Sequence, residues 1–375
     1  MSALAKGNSQ LDNLSDANDT QLMQRLIKSI DETIDVEDAG TTMRFLTAYF
    51  SITNQKKVMT GTSRMKERPI GILVDALRTL GVDIEYLGQD GYPPHRLKGF
   101  SNQKVRSLRI RGDVSSQYIS ALMMVAPVLP GGLTLELEGK IGSRPYIEMT
   151  ASLMKHFGVE LKFDRNIIVV PHQEYKAANY TVESDWSGAS YWFSFAALAD
   201  KAEIVLPRIS LNSLQGDRAI ADMSESFGVK AEMAGDTLKL TKVNHQKELQ
   251  WDFTHCPDLA QTVAVICAAK GIEGHFSGLE SLRIKETDRI AALQNELRKI
   301  NADFVEVDDS TCKVIPSKNL PKSVSIKTYK DHRMAMAFAP LATMMDVEIE
   351  NPPVVRKSYP TFWDDVRSFG TKLGS

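Results

Sequence analysis

The chain has 375 residues, 43% of them hydrophobic and 25% charged, with a formal net charge of −2. That length favours two domains, the balance is that of a soluble globular protein, and so small a net charge gives no reason to expect a nucleic-acid partner. No apolar run reaches the length of a membrane span, and the opening MSALAKGNSQLDN lacks the basic stretch and long apolar run of a secretory signal. The three cysteines, Cys256, Cys267 and Cys312, have no metal-ligand spacing and read as thiols of a reducing cytosol.

In chain order, Ala3–Gly7 reads as the end of a helix, and QLMQRLIKSI as an amphipathic helix leading to a strand at Thr33 and Ile34. A repeat then begins. Five times an extended segment runs into a short polar stretch and an apolar helix, at Asp38, Asp113, Asp185, Asp258 and Asp331, at intervals of 75, 72, 73 and 73 residues. Between them amphipathic helices end in turns at Gly81, Gly158, Gly228 and Asn301, the residue types that stop a helix in the left-handed conformation. Each unit reads strand, helix, strand, helix, then two strands. A period near 73 residues is too long for a solenoid and suits a βαβαββ subdomain. Six such units are expected, the first incomplete because it lacks its opening strand and most of its first helix.

The polar residues cluster at particular points of the repeat. The first helices open on small residues: Gly40-Thr41-Thr42, Ser115-Ser116-Gln117 and Ser187-Gly188-Ala189-Ser190. Such helix starts leave backbone N–H groups free to face an anion, although plain N-capping uses the same residue types. The loops before the second helices hold cations: Arg64, Lys66 and Arg68 in TSRMKERP, Arg144 in GSRPY, Arg283, Lys285 and Arg289 in LRIKETDR, Arg356 and Lys357 in VVRKSYP. Arg333 joins them from a first-helix start. Arginine's planar fork suits carboxylate and phosphate oxygens, so a cleft for small, multiply anionic ligands is expected. Asp258 and Glu286 lie among these cations, where a carboxylate either moves protons or neutralises a neighbour.

The stretches AGTTMRFL, TSRMKERPIG, VSSQYISALMM, GSRPYIEMT, RIKETDR, YKDHRMAMAF and KSYPTFW resemble, in order, the signature segments of the 5-enolpyruvylshikimate-3-phosphate synthases, within the enolpyruvyl transferases. The resemblance covers essentially the whole chain. It implies an α/β fold of the α+β type: a monomer of two three-unit domains, residues 1–183 and 184–375, with the active site in the cleft between them. The implied reaction joins shikimate 3-phosphate to phosphoenolpyruvate, releases phosphate, and needs neither metal nor cofactor. Carried over by position, Ser115, Ser116, Gln117 and Ser143 would hold shikimate 3-phosphate, with Lys285 assisting. Asp258 would act as base on the 5-hydroxyl, and Glu286 would move the proton at C3. Gly40, Arg64, Gln117, Arg289, Arg333 and Lys357 would hold phosphoenolpyruvate.

The match departs from the family pattern in three places. The family's opening Lys-Ser…Arg segment has no counterpart, so an N-terminally shortened member is expected. Asp38 stands where the family has Asn, and Ser281 replaces another Asn. Two competing readings follow: an impaired or non-catalytic relative that binds anions, and a UDP-N-acetylglucosamine enolpyruvyl transferase. The latter family uses a loop cysteine in its first domain, whereas every cysteine here lies beyond residue 250.

Overall fold

A computed structural model describes residues 1–113 and 115–368; Val114 and the chain beyond 368, which the expected second domain includes, lie outside the described residues. The chain forms two compact units. One comprises Met1–Ser15 and Asp19–Val182, the other Asp16–Asn18 and the chain from Glu183 onward.

The same four-stranded sheet occurs three times. In residues 33–100, strand Thr33–Asp35 lies parallel to Lys57–Thr60, which pairs antiparallel with His95–Phe100, whose other neighbour is Val82–Tyr86. Residues 107–170 and 248–315 repeat this order. A parallel pair needs a crossover, and helices Gly40–Ile52, Ser116–Val125 and Ala260–Lys270 supply it. The antiparallel hairpin follows the second helix. Between that helix and the hairpin, Gly81, Gly158, Gly228 and Asn301 have φ of 113°, 79°, 90° and 61°. At Gly81 a side chain is also excluded sterically, because a Cβ would lie 2.4 Å from the Asn102 carbonyl oxygen.

Three places depart from the repeat. Ala3–Gly7 is no α-helix end: Ser2–Leu4 is a single 3₁₀ turn, and Lys6 then bridges to Lys176. The strand before Asp185, Tyr180–Thr181, pairs in parallel with Leu11–Asp12, which leaves residues 203–242 with a three-stranded sheet. Around helix His332–Phe338, strands Ser323–Ile326 and Asp346–Ile349 form a two-stranded parallel sheet.

Burial separates the two helix series. In Ala260–Lys270 every residue from Ala260 to Ala269 is buried, as is nearly all of Trp186–Leu198. A helix apolar all round belongs inside a core. The second-series helix Gly71–Leu80 instead buries only Leu73, Val74, Leu77 and Leu80, the stripe of an amphipathic surface helix. Each fully buried Leu or Phe contributes about 1.5–3 kcal/mol relative to exposure. The polar residues at the first-helix starts therefore stand on helices packed into the core.

Candidate active site

In the unit that begins at Glu183, the sequence repeat brings Asp258, Lys285, Glu286, Arg289, Asp331 and Arg333 together. Arg289 is the first residue of helix Arg289–Arg298, whose N-terminus Asp288 caps by accepting from the Ala291 N–H at 3.1 Å. Its guanidinium is 1% exposed and meets three carboxylates. Nη1 donates to Asp258 at 2.7 Å, Nη2 to Glu286 at 3.1 Å, and Nε to Asp331 at 2.8 Å. Asp331 also caps helix His332–Phe338, accepting from the Arg333 N–H at 2.9 Å. The Arg333 side chain then reaches Asp258 at 3.2 Å and the Ser187 hydroxyl at 3.3 Å. The Lys285 ammonium lies 3.4 Å from Asp258.

Asp258 is therefore the common partner of three cations. Burial alone pushes its carboxyl up, but Arg333, Lys285 and Arg289 overcome that and hold it well below the usual carboxylate range. It is an anion in this arrangement and a weak base while all three cations face it. Next to Asp331, the His332 ring is buried, and desolvation outweighs the Asp331 charge to push its pKa down to about 4.

Sequence reasoning passed over Asp217. It is buried, accepts a short hydrogen bond from the Ser187 hydroxyl, and its pKa is pushed up to about 6, by burial first, with Arg333 opposing and Asp258 adding. Asp217 belongs to a second-helix loop not credited with cations, LNSLQGDRA. The signal was positional: it occupies the repeat position where other units carry arginine or lysine. Next to it, Asp185, Ser187, Gly188, Tyr191, Arg333, Ser358 and Tyr359 line a cavity of about 200 Å³. Lys357 immediately precedes two of these residues, at the end of the 3₁₀ segment Pro352–Lys357.

The loop before Asp331 is fixed from behind. Tyr329 and Lys330 both have left-handed φ, 54° and 58°. Buried Glu296, two helical turns beyond Arg289, accepts from the Tyr329 hydroxyl at 2.7 Å and the Lys327 N–H at 2.9 Å. One helix therefore grips the loop at both ends, through Arg289 and Glu296.

In the other unit, Gly40 opens helix Gly40–Ile52 against two guanidiniums. A Cβ on Gly40 would lie 2.7 Å from Arg68 Nη2 and 2.8 Å from Arg44 Nη1. Arg44 donates to the Gly40 carbonyl at 3.0 Å and the Pro69 carbonyl at 3.2 Å; Arg68 donates to the Asp38 carbonyl at 3.4 Å. The Asp38 carboxylate accepts from the Thr62 hydroxyl. Gln117 donates to the Thr41 hydroxyl at 2.9 Å, joining the starts of helices Gly40–Ile52 and Ser116–Val125. Arg64 forms a 3.0 Å pair with Glu67. Ser115 and Ser143 precede their helices without capping them by side chain, Ser143 at a left-handed φ of 52°, while Ser116 is buried. Gly40, Thr41 and Gln117 thus come together; for Ser143 no hydrogen bond joins it to them.

Similarity to known proteins is consistent along the chain. Residues 29–366 match the family model described as EPSP synthase (3-phosphoshikimate 1-carboxyvinyltransferase). The chain belongs to the EPSP synthase family. A 3-phosphoshikimate 1-carboxyvinyltransferase of Bacteroides fragilis is 46% identical over 390 residues, covering 99% of this chain and 92% of the relative. One from Pasteurella multocida is 36% identical, covering 97% and 90%. Among solved structures, an EPSP synthase from Acinetobacter baumannii superposes with a TM-score of 0.75 at 20% identity, covering 99% of this chain and 92% of that one. That last likeness supports the two-domain EPSP synthase fold. The matches favour neither the UDP-N-acetylglucosamine transferase nor the non-catalytic relative. Within the described residues, no helix is long and apolar enough to cross a membrane.

Proposed function

We infer that this chain transfers the enolpyruvyl group of phosphoenolpyruvate to the 5-hydroxyl of shikimate 3-phosphate, with release of phosphate. The 5-oxygen adds to C2 as C3 gains a proton; the tetrahedral adduct then loses phosphate from C2 and the proton from C3. The observation that carries this reading is the convergence of Lys285, Arg289 and Arg333 on one carboxylate, Asp258, beside the cavity edged by Arg333.

That geometry suggests a coupling. An incoming phosphate or carboxylate that takes up Arg333 and Arg289 draws their charge away from Asp258. The Asp258 pKa then rises, and it becomes a base able to take the 5-hydroxyl proton. Glu286, 3.1 Å from Arg289, is assigned the C3 proton. Arg289, Arg333 and Lys357 hold phosphoenolpyruvate from this unit, and Gly40, Arg64 and Gln117 from the other. Ser115, Ser116, Gln117 and Ser143, with Lys285, hold shikimate 3-phosphate. A monomer acting in the cytoplasm completes the reading, with sedimentation and cell fractionation as its tests.

The deciding experiment is phosphate release from the purified chain given both substrates. Release that requires both, and that Glu286→Gln abolishes while phosphoenolpyruvate affinity stays within about threefold, supports the assignment. Equal losses of turnover and affinity would make Glu286 a binding residue. No release at all would return the chain to the anion-binding reading.

A further inference from the structure

Away from the Asp258 network, the C-terminal end of helix Trp186–Leu198 holds two lysines at one carbonyl. Lys242, the last residue of strand Thr237–Lys242, donates to the Ala197 oxygen at 2.9 Å and also to the Ala199 oxygen. Lys270, the last residue of helix Ala260–Lys270, donates to the same Ala197 oxygen at 2.8 Å. Both side chains are partly exposed. The negative end of a helix readily accepts one cation. A second ammonium on the same oxygen meets the charge of the first.

The surroundings decide which amine yields its proton. Asp200 supports the charge on Lys242. Lys270 has no such carboxylate: burial, then the Lys242 charge and hydrogen bond, bring its pKa down to about 8. Gly228 lies against Lys270: a Cβ there would sit 3.4 Å from its Nζ, in van der Waals contact.

We propose that Lys270 is a modification site, the lysine of this chain that reacts first with small activated acyl donors such as acyl phosphates. The neutral amine attacks the acyl carbon, a C–N bond forms, and the C–O bond to phosphate breaks. Phosphate leaves with the electron pair and the surplus amine proton passes to water. The product amide retains one N–H, so the bond to Ala197 survives while the repulsion with Lys242 ends. At pH 7.5 an ordinary lysine is neutral in only about one molecule per thousand, against about one in four for an amine with a pKa near 8. The less basic amine is also a poorer nucleophile, which leaves a net advantage of roughly tenfold.

The test is brief treatment of the full chain with acetyl phosphate at pH 7.5, followed by mass spectrometry of each lysine-bearing peptide. Lys270 is expected to be acetylated at least about fivefold above the median lysine, and that excess is expected to fall by about twofold or more in Lys242→Met, with the part due to burial remaining. Lys270 at the median, or an excess unchanged by Lys242→Met, would overturn the proposal. The unaltered chain gives a second reading that needs no variant. Relative to the other lysines, labelling of Lys270 should level off above about pH 8.5; a rise parallel to theirs up to pH 9.5 would also sink it.

Discussion

The two units hold their arginines in opposite ways. Around Gly40, Arg44 and Arg68 donate to backbone carbonyls of Gly40, Pro69 and Asp38. A carbonyl fixes a guanidinium in place without cancelling its charge. Around Asp258, Arg289 and Arg333 donate to the carboxylates of Asp258, Glu286 and Asp331, which do cancel it. Both of these arginines are buried, Arg44 4% and Arg68 8% exposed, so this arrangement fixes them at the start of the helix. In the coupling proposed above, the second gives up its ion pairs only in exchange for a ligand anion, and that exchange alters the protonation of Asp258.

The largest effect expected from this contrast is on stability. Arg289→Met strands buried Asp331 and part-buried Asp258 beside each other, and breaking a buried ion network of this kind costs about 3–5 kcal/mol. Arg44→Met removes hydrogen bonds to two carbonyls and the stacking of the guanidinium 6.0 Å over Tyr118. Its cost should be about 1–3 kcal/mol. Urea unfolding of both variants measures the difference. Equal costs would mean that the carboxylates around Arg289 add nothing, and the distinction between the units would fail.

The next effect is on pH dependence, and it sets two buried histidines, one in each unit, against Asp217. His332 and His95 are buried neutral, each with its pKa lowered by desolvation to about 4, and His95 Nε2 lies 3.1 Å from the Thr47 hydroxyl. A lowered pKa means that the unfolded chain binds more protons. The stability these rings confer is present above the unfolded value of about 6.5 and is lost as pH falls towards 4, by roughly 2–3 kcal/mol per ring. Asp217 runs the other way. With its pKa raised to about 6, its contribution is whole below the unfolded value near 3.8 and is lost as pH rises through 6. Thermal melts from pH 4 to 8 should show Asp217→Asn gaining on the unaltered chain at the upper end. A constant difference across that range would mean that Asp217 does not titrate there.

Much of this was legible in the sequence, because the repeat made it so. Four helix stops at spacings near 73 residues predicted four left-handed turns, and Gly81, Gly158, Gly228 and Asn301 adopt them. The same spacing placed Asp258, Arg289 and Arg333 at corresponding ends of helices, hence near one another. What the repeat concealed was use. Asp185 and Asp331 cap their helices, Asp258 binds three cations and Asp113 pairs with Arg111, although all four occupy one repeat position. The partners of Asp217 were hidden for a related reason: Ser187, Arg333 and Asp258 are all distant in sequence, and only its place in the repeat pointed to it. The pairing of Tyr180–Thr181 with Leu11–Asp12 was equally hidden, since nothing in two-residue strands specifies a partner 169 positions away.

The smallest effect tests the carbonyl-held side of the comparison. Gly40 opens a helix and is not among the glycines with positive φ, so Gly40→Ala should gain up to about 1 kcal/mol of helix propensity. Its Cβ would meet Arg68 and Arg44 at 2.7 to 2.9 Å, but these are the tips of long side chains, which can yield. The fold should therefore tolerate alanine, with a melting temperature within about 3 °C of the parent. The guanidiniums, however, can yield only by leaving the carbonyls that aim them. Phosphoenolpyruvate affinity should fall about three- to tenfold by calorimetry, less than the tenfold or greater loss expected for Arg333→Ala, which deletes a charge outright. Undiminished affinity would show that Arg44 and Arg68 brace the helix start and present nothing to the ligand. A large loss of stability with affinity intact would show that the two guanidiniums cannot move, and that Gly40 is fixed by packing alone.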